Sequence, residues 1–181
     1  MNYYTGIGSR ETPAAVLALF TELGRWLAHK HYTLRSGHAP GADSAFETGC
    51  SAVSGTAEIY LPWPNFNGST SQYVLNTHDN AAIIAKQFHP AWNRLSPGAQ
   101  KLQARNSYQI LGYDLQTPTN FVICWTKDGT GQGGTGQALR IAKAHNIPIF
   151  DFGKYTDLEK AKTAFNEFYL KNKNIQNSNE N

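Results

Sequence analysis

A chain of 181 residues, 40% of them hydrophobic, is long enough to bury one full core and short for two. Its net charge of +3, on scattered Lys and Arg, excludes a strongly basic surface for nucleic acid and leaves small anionic ligands compatible. Cys50 and Cys124 have no CxxC spacing, which excludes a disulfide scaffold and reads as two buried thiols.

Strand and helix signals alternate from the first residues. MNYYTGIGSR shows no signal-peptide pattern, and no apolar run approaches the ~20 residues that span a bilayer. A soluble cytoplasmic protein with no membrane partner is therefore expected. Asn2–Thr5 reads as a strand ended by Gly6-Ile7-Gly8-Ser9. Val16, Phe20, Leu23, Gly24 and Leu27 then repeat at helical spacing behind Pro13. Tyr32–Arg35 is the second strand, Ala42–Val53 the second helix and Thr56–Leu61 the third strand.

Pro62 ends that strand, having no N–H for a ladder. Residues 62–77, PWPNFNGSTSQYVLNT, form a long loop whose aromatics, Trp63 and Phe66 among them, favour an ordered lid over a linker. Helical stretches follow at Asp79–Gln87 and Gly98–Leu111. NFVICW, residues 120–125, is the most strand-like run and is expected at the centre of a sheet. A helix over Thr135–His145, a strand over Ile147–Phe152 and a helix carrying Leu158, Ala161, Phe165 and Phe168 complete one domain over 1–170. Residues 171–181 read as a flexible polar tail.

This alternation predicts an α/β, Rossmann-like, doubly wound and mostly parallel sheet with helices on both faces, whose ligands bind beyond the strands' carboxyl ends. Three Gly-rich turns fall there. Gly6, Gly8, Ser9 and Arg10 combine free backbone N–H groups with a hydroxyl and a guanidinium, which suits phosphate; a plain strand–helix turn reads equally well. Ser36, Gly37, Gly41 and Ala42 lead into a helix N-terminus, where Asp43 either caps the helix or contacts a ribose hydroxyl. Glu47 lies one turn on, and a solvated helix face is its simplest reading. The third turn follows Trp125 and Thr126. There Gly133, Gly134, Thr135, Gly136 and Gln137 let a phosphate approach both backbone and helix N-terminus, without the lysine of a Walker loop.

YTGIGSRETP, LRSGHAPGADSAFETG, LQARNSYQILG and GQGGTGQALRIA, in this order, resemble the SLOG superfamily. That group includes Lonely Guy-type phosphoribohydrolases, the DNA-processing protein A fold and nucleotide sensors of bacterial defence. The combination most resembles a small stand-alone branch often found in bacteriophages. The resemblance covers about residues 3–150, without the 62–77 loop or the last helix. It implies that Arg105 matches the phosphoribohydrolases' catalytic arginine. Aligning GGTGQALR on their GGxGTxxE turn puts Gln137 at the threonine and Arg140 at the closing glutamate, where a cation opposes an oxocarbenium-like centre.

The resulting expectation is a pocket that sequesters a phosphorylated nucleotide-derived small molecule, for instance an ADP-ribose-type immune signal held by an anti-defence sponge in the host cytoplasm. Arg105 supplies a second phosphate charge, Asp43 meets the ribose, and Trp63 or Phe66 closes over the base. The alternative is a nucleotide N-glycosidase or phosphoribohydrolase using Arg105 with Glu47 or Asp43. A weaker one is a single-strand binder stacking bases on Trp63, Phe66, Trp92 or Trp125, which the low charge disfavours. The resemblance also implies a homodimer. No cofactor is expected. Nor is a metal, since the six histidines lack HxxxH and HExxH spacing; His38, in a Gly-rich turn, reads as a solvent-facing loop residue.

Overall fold

Five strands form one parallel sheet in the order β3-β2-β1-β4-β5: β1 Asn2–Gly8, β2 Tyr32–Ser36, β3 Ala57–Ile59, β4 Phe121–Trp125 and β5 Ile149–Asp151. The structure, a computed structural model, describes residues 1–173. Among the described residues, six α-helices connect and flank the strands: α1 Ala14–His29, α2 Ala42–Ser51, α3 Ala81–Phe88, α4 Pro97–Leu111, α5 Gly134–Ala144 and α6 Leu158–Asn172.

Strand alternation sorts the core into two layers. Tyr4, Leu34, Phe121 and Ile123 face α1, α2 and α6, meeting Phe20, Leu27, Phe46 and Phe165. Ile7, Val122 and Cys124 face the other side, against Ile110 of α4 and Leu139 and Ile141 of α5. β1 takes the middle of the sheet; the expected central strand β4 lies beside it, between β1 and β5, with both faces covered as its unbroken apolar run predicts. The predicted helix face Val16, Phe20, Leu23, Gly24 and Leu27 is buried throughout.

Three expectations shift. β1 continues through Gly6 to Gly8, paired to Ile123–Trp125, so Gly6 is a strand residue and not a turn. The reason is packing: a Cβ on Gly6 would lie 2.6 Å from the Phe46 ring, and one on Gly8 would lie 2.7 Å from the Ala42 Cβ. Both glycines let α2 lie close on the sheet. Lys171 and Asn172 belong to the last turn of α6, with the Asn172 amide donating to the Phe168 carbonyl at 2.7 Å; the rest of the expected tail, from 174, lies outside the described residues. Third, β3 is only three residues long. Leu61 then bridges Val74, and the Ser71 hydroxyl donates to the Ile59 carbonyl, so residues 62–77 form a strap tied to the sheet edge.

Among the described residues no helix is long and apolar enough to cross a membrane. The α1–α2 contact depends on Gly24 and Gly49, where a Cβ would strike the Phe46 and Thr21 carbonyls of the facing helix. Gly24→Val is expected to destabilise the fold by about 1–3 kcal/mol through overpacking, read as a lower urea midpoint. Gly98→Ala, where an added Cβ meets open space, is expected to leave the midpoint unchanged or raise it slightly.

Candidate functional site

Parallel strands bring all three Gly-rich turns to one edge of the sheet. Strand order reverses between β1 and β4, and a cavity of about 360 Å³ opens over that crevice. Ile7–Arg10 form one wall, Gln132–Thr135 a second and α4 a third, with Ala39, Asp43 and Phe66 completing the enclosure. The size falls in the range of small-molecule sites, about 300–1,000 Å³.

The second wall is the start of α5. Gly133 takes φ 77°, in the left-handed region open to glycine, and the helix begins at Gly134. The first amides of a helix have no intrahelical partner and carry partial positive charge. A Cβ on Gly133 or Gly134 would meet no atom within 4 Å, so these glycines face open space. The loop is pinned from beneath: the buried Thr126 hydroxyl donates to Asp151 and accepts from the Gly131 amide at 2.9 Å. Arg10 stands exposed at the rim.

On the floor, Gly37 is gripped by two buried charges. Asp43 Oδ2 accepts from the Gly37 amide at 3.1 Å, and Arg105 Nη1 donates to the Gly37 carbonyl and, at 2.8 Å, to that of Tyr60. Arg105 Nε donates to Asn106 Oδ1 at 3.1 Å, while Nη2 makes no hydrogen bond to a described residue. Burial pushes the Asp43 carboxyl up to about 6, against the pull of Arg105 and with a push from Glu47. It likewise lowers the Arg105 guanidinium to about 10, with Asp43 and Glu47 opposing.

No protein-family model and no curated protein matches the chain. Solved structures do. The crystal structure of TM1055, a structural-genomics target, is 18% identical with a TM-score of 0.52, over 82% of this chain and 72% of that one. The Moco carrier protein of Chlamydomonas reinhardtii gives 16%, 0.53, 94% and 86%. DNA processing protein A from Helicobacter pylori, described with a single-stranded DNA binding mode, gives 16%, 0.54 and 83%, and this chain spans 64% of it. The chain shares the Rossmann-like α/β fold of these structures.

The cavity gathers Gly8, Ser9, Arg10, Asp43, Arg105 and the turn Gly133–Thr135 from the predicted set. It leaves others outside its wall. Gly6 packs on Phe46, and Ser36 donates to the Gly6 carbonyl at 2.7 Å. Gly37 lies behind Arg105, Gly41 (φ 94°) turns the chain into α2, and Ala42 packs on Gly8. Trp125 packs on the core, and Thr126 anchors the loop. Gly136 sits against the Gly131 carbonyl, and the Gln137 amide donates to Ala85 at 2.7 Å. Of the strap's pair only Phe66 lines the cavity; Trp63, 37% exposed, stands edge-on to it outside.

Four readings are corrected. Asp43 does not cap α2, because its carboxylate turns back to Gly37 and Ala39. Glu47 is not on a solvated face: it accepts the His38 amide at 2.9 Å and meets His38 Nδ1 at 2.6 Å. That pairing draws His38, 31% exposed at its side chain, in from solvent. Arg140 does not face the cavity, since Nε donates to the Phe88 carbonyl and Nη2 to Gln137, both at 2.8 Å. It does not line the cavity.

Sequence reading missed Gln103, Asn106, Gln109 and Gln132 in the wall. The first three, with Leu102 and Arg105, recur at three- and four-residue steps, a polar stripe on α4 that was the available signal. Among the described residues no group of three or more His, Cys, Asp or Glu is placed to hold a metal.

The raised Asp43 carboxyl means the folded protein holds its proton where the unfolded chain has released it. The stability this gives is full below about pH 4 and is lost as pH rises through about 6. Asp43→Asn, whose amide oxygen still accepts from Gly37, is expected to lack this loss. Urea unfolding at pH 4 and 7.5 should show wild type losing roughly 2–3 kcal/mol more than the variant.

Proposed function

We propose that the cavity binds a phosphorylated, nucleotide-derived small molecule and holds it without consuming it. The observation that carries this reading is the set of uncommitted donors around one half-open cavity. The first amides of α5 and Arg10 stand at one side, and the free Arg105 Nη2 at the floor. Helix N-terminal amides beside arginines suit phosphate oxygens. Phosphate lies on the Gly133–Thr135 turn, Asp43 and Arg105 meet the sugar, and Phe66 covers the base.

An ADP-ribose-type signal has the required parts, and the resemblance to a phage-borne branch supports reading the protein as a sponge for a host defence signal. A carrier and a single-stranded DNA binder share the fold. This chain's own residues favour the small ligand, because a charge of +3 without clusters gives a strand little to neutralise.

Cleavage is the second reading, and Asp43 is what favours it: the one carboxylate in the described cavity wall, with Oδ1 free of hydrogen bonds. Against it, Asp43 is already countered by Arg105 and Glu47 is occupied by His38. The test is to load the protein with ADP-ribose, remove free ligand, heat-denature and identify what is released. Intact ADP-ribose is expected; free adenine or ribose phosphate would sink the holding reading.

Gly134→Val adds a side chain where only open space stands. It is expected to leave the unfolding midpoint within about 1 kcal/mol of wild type and to weaken ADP-ribose binding at least tenfold by calorimetry.

A further inference from the structure

The cavity floor holds one polar side chain that neither the glycine turn nor the buried ion pair uses. Gln109, on the last turns of α4, is 3% exposed and lines the cavity. Its backbone carbonyl accepts the Thr5 hydroxyl, but its Oε1 and Nε2 hydrogen-bond to no described residue. Among the described residues only the Tyr4 hydroxyl is sealed from space without a partner. The Gln109 amide therefore opens onto the cavity. An amide this deep has lost most of its water, and buried polar groups persist where something replaces it.

Its neighbours say what that something is. Gln109 Nε2 and Arg105 Nη1 both lie where a side chain on Gly37 would stand, and Asp43 holds the Gly37 amide. Around this one glycine the groups left over are Asp43 Oδ1, Arg105 Nη2 and both ends of the Gln109 amide. Such a mixture of donors and acceptors suits hydroxyls, each of which donates once and accepts twice. A base needs a stacking surface, and the aromatic in the wall, Phe66, belongs to the strap, its ring 5.6 Å from Arg105 Cζ.

We infer that Gln109 is a specificity-determining residue that reads the free hydroxyls of the ligand's ribose, so that the pocket selects ribonucleotides over their 2′-deoxy counterparts. This rests on the nucleotide reading of the cavity. A site built to bond a hydroxyl rejects the analogue lacking it, because its buried polar groups are then left unpaired.

Calorimetric titration with ADP-ribose, AMP, their analogues lacking a 2′-hydroxyl, and inorganic pyrophosphate tests it. Wild type is expected to bind a ribo form at least tenfold more tightly than its deoxy form. Gln109→Met, similar in size but without the amide, should narrow that gap below about threefold while pyrophosphate affinity stays within twofold. If the Met variant does not fold, Gln109→Asn, which draws the amide back by one methylene, should show the same narrowing. Equal binding of ribo and deoxy forms by wild type, or undiminished selectivity in the folded variant, overturns the assignment and leaves nucleotide binding standing. If ADP-ribose, AMP and pyrophosphate all fail to bind, the nucleotide reading falls and this inference falls with it.

Discussion

The site depends on how one glycine is held. Gly37 follows β2, and its amide and carbonyl are taken by Asp43 and Arg105, 3% and 5% exposed. Burying either charge alone would cost several kcal/mol. Together, with backbone dipoles supplying extra hydrogen bonds, they are tolerated. Any side chain at position 37 would displace Arg105 and Gln109 together. The sheet edge, α2 and α4 thus meet in one polar knot, and the cavity floor is the side of that knot left open.

The knot needs close helix packing to exist. Asp43 reaches Gly37 because α2 lies tight against β1 over Gly6 and Gly8, and against α1 over Gly24 and Gly49. Glycines that look like phosphate turns in sequence are partly spacers that set the helix-to-sheet distance. The same residue type therefore serves two purposes at one strand end: Gly6 admits the Phe46 ring, while Gly8 admits Ala42 and also borders the cavity.

This explains what the sequence made legible. Strand–helix alternation gave the parallel sheet, since period-two and period-3.6 patterns are local and survive without tertiary information. Convergence of the three turns followed from parallel topology alone. Which side chain of each turn faces the cavity did not, because that depends on partners far along the chain: Gln137 is claimed by Ala85, Arg140 by Phe88 and Thr126 by Asp151. The α4 stripe escaped notice for the opposite reason. Gln103, Asn106 and Gln109 lie in the LQARNSYQILG segment, where only Arg105 has a motif counterpart; their three-residue spacing and the burial of Asn106 and Gln109 mark the stripe.

Charge bears on whether such a cavity holds or cuts. With Asp43 ionised, Arg10 and Arg105 leave the wall one positive charge in excess, and the α5 terminus adds about half a charge more. An anion relieves that excess in its ground state, before any bond is stretched. Glycosidic cleavage asks for the reverse, negative charge beside a centre that turns positive, from a pair of carboxylates. Here one carboxylate faces the space, held by loop amides and neutralised by Arg105, and the second, Glu47, is spent on His38. On the proposed reading, electrostatics of this kind favour a phosphate in its ground state and offer an oxocarbenium-like centre little. It is the absence of a carboxylate from α5, not the charge of Arg140, that on this reading favours holding over cutting.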